Sequence, residues 1–108
     1  MLEKVNNEEA FARLNAAKEA LDKYRSCAGT SEEQYEIYVA SRAVNNEIAD
    51  FEINKMKEAN AEYSPLTAMK DINALLKKLC DDVNQTVSAV KTAAEIATTL
   101  TNVIKLLG

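Results

Sequence analysis

The sequence predicts an all-α fold: an antiparallel helical hairpin completed by one long, heptad-patterned C-terminal helix. Three observations carry this. First, Met69, Leu76, Val83, Val90, Ala97 and Ile104 recur every seven positions, and Ile72, Leu79, Thr86, Ala93, Leu100 and Leu107 follow each of them three places on. Residues three, four and seven apart share a helix face, so the pattern makes an apolar a/d seam with Thr86 as its one polar member. Second, the whole chain holds two Gly and one Pro, too few for the turns of a strand-rich fold. Third, two stretches read as helix caps, one before Glu8 and one at Ser31.

The first helix is expected over 7–27. Asn6 or Asn7 caps it, and Glu8 and Glu9 suit the positive end of its dipole. Ala10, Leu14, Ala17, Leu21, Tyr24 and Ala28 form its apolar stripe, widened by Phe11, and Gly29 is the expected left-handed stop. Ser31-Glu32-Glu33-Gln34 matches a capping box and opens a second helix over 31–63. Its apolar residues fall in two adjoining stripes. One holds Ile37, Val44, Ile48 and Phe51; the other holds Tyr35, Tyr38, Ala49, Ile53, Met56 and Tyr63. Two stripes imply two neighbours. Asn45, Asn46 and Asn54 interrupt the pattern.

Ser64-Pro65 caps and starts a third helix over 65–107. A break at Asp81-Asp82, giving a four-helix bundle, is the alternative. The heptad register runs through residues 79–86 without a slip, which favours one continuous helix of roughly 60 Å. Laid against a second helix of about 48 Å, such a helix overhangs beyond Ala97. The overhang nominates Ile96, Leu100, Val103, Ile104 and Leu107 as partner-binding residues. Val90, by contrast, is expected to face the hairpin.

Composition narrows function by exclusion. The 108 residues fit a single domain, 47% apolar and 28% charged, as in a folded chain. A net charge of −4 and a pI near 4.9 disfavour binding to nucleic-acid phosphates. The balance is uneven, with 8 basic and 13 acidic residues over 1–64 against 5 and 4 over 65–108. No His is present, so catalytic triads, zinc fingers and Glu-x-x-His metal pairs are absent, and two isolated glycines make no phosphate loop. No catalytic residue, cofactor site or metal site is expected. The close carboxylate pairs, Glu8-Glu9, Glu32-Glu33 and Asp81-Asp82, read as solvated or dipole-facing groups. Asn84-Gln85-Thr86 fits a glycosylation sequon by chance.

The start, Met1-Leu2-Glu3-Lys4, shows no leader, and no stretch is long enough to span a bilayer, so the expected residence is cytoplasmic. Cys27 and Cys80 are expected to stay unpaired, far apart along the bundle, with Cys80 a structural thiol. Tyr24, Tyr35 and Tyr38 gather near the Gly29 turn, either as contact residues or as a plug for the hairpin's own end. The functional expectation is a non-catalytic helical interaction module of the adaptor, secretion-chaperone or immunity-protein type, which self-associates or takes a partner helix. The alternative is a peripheral lipid-surface protein that rests its C-terminal helix on the membrane, with Lys70, Lys77, Lys91 and Lys105 outward.

Overall fold

The computed structural model describes residues 3–108; Met1 and Leu2, which open the stretch read for a leader, lie outside them. The described chain is all-helical, without a strand, and measures 40 × 22 × 20 Å. The helices are α1 (Asn7–Cys27), α2 (Ser31–Ile53), α3 (Thr67–Asp71), α4 (Asn73–Thr86) and α5 (Val90–Leu107), with a 3-10 turn at Lys55–Glu58.

α1 has the expected bounds. Asn6 is its cap, its side chain accepting from the Glu9 N–H at 2.9 Å. The α1–α2 turn is built differently from the expectation. Gly29 does not adopt a left-handed conformation; Ala28 ends α1 in extended backbone instead. The capping box sits one residue earlier, on Thr30. Its hydroxyl accepts from the Glu33 N–H at 3.1 Å and donates to the Glu33 carboxylate at 2.9 Å. Gln34 is thereby released to donate to the carbonyls of Arg25 and Ala28, both at 2.9 Å, which closes the end of α1.

The second helix stops at Ile53, ten residues short of the expected Tyr63. Nothing in Asn54-Lys55-Met56-Lys57-Glu58 forbids helix, so tertiary contacts decide it. The buried Asn7 side chain donates to the carbonyls of Lys55 and Glu58 at 3.2 and 2.9 Å. The chain after them crosses the start of α1: Asn7 N–H meets Ala61 O and Tyr63 N–H meets Val5 O, both at 2.9 Å. Tyr63 then stacks on Phe51 at 5.3 Å between ring centroids. Asn7→Ala strands both carbonyls in this partly buried corner. It is expected to cost about 1–3 kcal/mol in urea unfolding while leaving the helical signal of the native state unchanged.

The single long helix over 65–107 is absent. α3 starts at Thr67 with Leu66 as its cap, not at Ser64-Pro65, and the chain kinks at Ile72. A wider break lies at Val87, Ser88 and Ala89. Asp81 and Asp82, the suspected turn, are both inside α4. After the break α5 folds back against α4 and also lies along α1.

The seam does not keep its phase through this turn. In α3 and α4 the a row is buried at Met69, Leu76 and Val83. In α5 the a-row residue Val90 is 83% exposed, and Ala97 and Ile104 are half-buried. The core is filled by d residues Ala93 and Leu100 and by Ile96 and Val103, each one place before an a position. The turn thus rotates the buried face by one residue. Val90 does not face the hairpin, and the overhang does not form.

The core runs through all the long helices: Leu14, Leu21 and Tyr24 from α1, Ile37, Val44 and Phe51 from α2, Leu76, Leu79 and Val83 from α4, and Ile96, Leu100 and Val103 from α5. The Tyr24 hydroxyl donates to Leu79 O at 3.1 Å. The N-terminal segment ties down the far end of α5: Glu3 N–H donates to Lys105 O at 2.8 Å, and Arg13 bridges Glu3, Glu9 and Asn102 O.

Candidate functional site

α2 carries two apolar stripes, and the fold covers one of them. Ile37, Ala40, Val44, Ile48 and Phe51 turn into the core. The second stripe faces out as far as α2 runs, with Tyr35 67% exposed, Tyr38 45% and Ile53 64%, whereas Met56 and Tyr63, past the end of α2, are half-buried and buried. α2 packs chiefly on α1 and only lightly on α3 and α4, so the second neighbour that two stripes demand is not supplied by the described residues.

The outer face has a regular order. Tyr35, Val39, Arg42, Asn46, Ala49 and Ile53 are spaced four, three, four, three and four residues apart. That is the a/d alternation of a coiled-coil seam, here with a polar pair, Arg42 and Asn46, at its centre. From Tyr35 to Ile53 the seam extends about 27 Å at helical rise. Its N-terminal half is concave. Tyr35, Tyr38, Val39, Arg42 and Asn46 form one wall of a groove of about 330 Å³, with Ala68, Asp71 and Ile72 on the other side. In its C-terminal half Ala49 and Ile53 are exposed.

A buried ionic node fixes that end. The Glu47 side chain is fully buried and accepts from the Leu66 N–H at 3.3 Å and from Lys55 Nζ at 3.4 Å. Lys55 also pairs with Asp50, and its ammonium lies 5.6 Å from the Phe51 ring and 5.8 Å from that of Tyr63. Burial pushes the Glu47 carboxyl above its ordinary range, against the opposing pull of Lys55 and the Leu66 N–H. The Lys55 hydrogen bond holds Asp50 below its ordinary value. Burial, then the Glu47 charge, push the Tyr63 hydroxyl up; it lies close to Glu47 without a hydrogen bond of ordinary geometry. The node joins α2, the 3-10 turn and the start of α3.

A cleft of about 590 Å³ lies between the start of α2 and the end of α4 and is acidic. Its single lysine is already paired. Lys78 pairs with Glu36 at 2.6 Å and with Asp82 at 3.7 Å. Glu33 accepts from Thr86 at 2.6 Å, and this bond and that from Thr30 lower its pKa. Among the described residues no group of His, Cys, Asp or Glu is arranged to hold a metal ion. Cys27 is exposed and Cys80 half-buried, and both are free thiols; Cys80 Sγ lies 3.5 Å from Ala97 O, where α4 meets α5.

Of the residues nominated for partner binding, Ile96, Leu100 and Val103 are no more than 1% exposed and belong to the chain's own core. Ile104 and Leu107 are half-buried at its edge. The overhang that nominated all five does not exist. Of the tyrosine cluster, Tyr24 is core, whereas Tyr35 and Tyr38 do not plug the hairpin but stand out from it. Val39, Arg42 and Asn46 lie outside both expected stripes. Their signal in the sequence is the unbroken four-three spacing, hidden by the polar residues at its centre.

The four outward lysines are all exposed but are distributed over α3, α4 and α5, so they do not form one row on one helix. No described helix is long and apolar enough to cross a membrane. Compared with protein-family models, with curated proteins and with solved structures, the chain matches none.

Proposed function

We propose that this chain is a non-catalytic interaction module that docks another protein helix through the outer stripe of α2. The fold that presents it is read as a self-contained four-helix bundle of α1, α2, α4 and α5, closed by the turn at Val87–Ala89. The observation that carries the reading is a coiled-coil seam with a tyrosine and an arginine, flanked by the exposed Tyr38 and left without a neighbour among the described residues, which cover the other apolar stripes. Tyrosine and arginine supply area and directional hydrogen bonds at low entropy cost, and dominate protein contacts for that reason. The lipid-surface alternative draws no comparable support, because the apolar face of α5 is turned inward on Ile96, Leu100 and Val103.

The test is a triple variant, Tyr35→Ser, Tyr38→Ser and Ile53→Ser. These side chains are exposed, so each change is expected to alter stability by no more than about 0.5 kcal/mol. Association, with itself or with a protein partner, is expected to weaken by about tenfold or more. A triple variant that keeps every association of the parent chain removes α2 as the docking surface.

A further inference from the structure

We propose that the occupant of the α2 stripe is a second copy of this chain, docked antiparallel about a two-fold axis level with Val44. The inference rests on the reading of α2 as the docking face and names its partner.

The stripe is self-complementary. The four-three-four-three-four spacing is the same read from either end. In an antiparallel pair, a positions of one helix meet d positions of the other. Tyr35 then lies opposite Ile53 of the second copy, Val39 opposite its Ala49, and Arg42 opposite its Asn46. Each layer is matched in kind. The large apolar residues meet at both ends, and the small Ala49 meets the half-buried Val39. The one cation of the seam meets a carboxamide oxygen and not a second cation.

Shape follows the same symmetry. The groove of about 330 Å³ flanks the N-terminal half of the seam, and the exposed Ile53 stands at the C-terminal half. The two-fold brings the exposed Ile53 end of each copy to the groove of the other, so both grooves and both isoleucines are covered in one operation. A parallel pairing would instead set Arg42 on Arg42 and isoleucine on isoleucine, leaving both grooves open. One helix face about 27 Å long is at the small end of protein interfaces, so the dimer is expected to be weak and reversible, with dissociation in the micromolar range or above.

Sedimentation of the full chain across micromolar to millimolar concentration tests this. The expected result is a reversible rise from 11.9 kDa towards twice that mass. Asn46→Arg sets two cations against each other in both polar layers, and is expected to weaken the dimer by about tenfold or more. Arg42→Glu combined with Asn46→Arg is expected to restore it, since each layer then pairs opposite charges across the axis. In a parallel dimer the same double variant sets the two introduced carboxylates against each other and stays weak, which would overturn the antiparallel register. Melting temperatures of the monomers show whether either change acts on folding instead. A chain that remains monomeric throughout, while the α2 triple variant loses a different protein partner, overturns the self-pairing and leaves the docking face standing. A dimer indifferent to every α2 change overturns both.

Discussion

Leu100→Asp is expected to unfold the isolated chain, whereas Val90→Asp, ten residues earlier on the same helix, is expected to leave its melting temperature almost unchanged. Leu100 is fully buried where α5 lies between α1 and α4. An aspartate there forfeits the buried leucine, about 2–5 kcal/mol, and places an unpaired carboxylate out of water at a cost of several more. A domain of this size is stable by about 5–15 kcal/mol, so little or nothing remains. Val90 starts α5 with 83% of its surface exposed, and a carboxylate in the first turn suits the positive end of the helix dipole. Urea and thermal unfolding followed by circular dichroism read both. Were Leu100→Asp to melt with the parent chain but sediment at a lower mass, the α5 face would be an intermolecular surface, and the overhanging long helix would be the better description.

That contrast marks where the sequence could be read and where it could not. Helix existence was legible, because the apolar spacing and caps act locally; α1 has the expected bounds from Asn7 to Cys27. The end of α2 was not. It is set by Asn7, 48 residues from Lys55 in the chain, holding carbonyls that a helix would otherwise use. The break at Val87–Ala89 was hidden for a subtler reason. The heptad rows continue through it in the sequence, but α5 has apolar residues on three adjoining rows, including Ile96 and Val103 beside the expected seam. With so wide an apolar face, the helix can rotate by one position and still fill the core. Register continuity therefore carried no information about helix continuity.

The candidate site was half legible. The second stripe of α2 was visible as Tyr35, Tyr38, Ala49 and Ile53, though Met56 and Tyr63, beyond the helix, were counted with it, and its implication of a second neighbour followed from the helix period. Which neighbour was missing depended on the lengths of the other helices. A long third helix would have covered the stripe; a short α4 that hands over to α5 leaves it open. The same difference in helix length that leaves the α2 stripe open also removes the overhang of α5. Asn46 interrupts an apolar stripe and Arg42 belongs to none; only the four-three spacing joins them to Tyr35 and Ile53.

Lys55→Met is expected to destabilise the chain by about 3–5 kcal/mol at neutral pH, and by progressively less on acidification. Among the described residues Lys55 is the only cation paired with the fully buried Glu47. Removing it leaves a carboxylate out of water with the Leu66 N–H as its remaining donor. The sign of the pH effect follows from the direction of the shift. Burial raises Glu47 above its ordinary value of 4.5, so the native state binds its proton more tightly than the unfolded chain does. Stability from this group is complete below the ordinary value and is lost as pH rises through the raised one. Without Lys55 the raised value climbs further, and the penalty at neutral pH grows. Acidification towards 4.5 should therefore narrow the gap between Lys55→Met and the parent chain. Asp50 runs the other way, since Lys55 lowers its pKa and that contribution is lost as pH falls through the lowered value in the parent alone. Glu47→Gln separates the causes. The carboxamide oxygen still accepts from Leu66 N–H, so the single variant is expected to be as stable as the parent at neutral pH. Added to Lys55→Met, it is expected to recover most of the lost stability. If the double variant unfolds at the same urea concentration as Lys55→Met, the stranded Glu47 charge is not the cause. The loss would then belong to Asp50 and to the ammonium held over Phe51 and Tyr63.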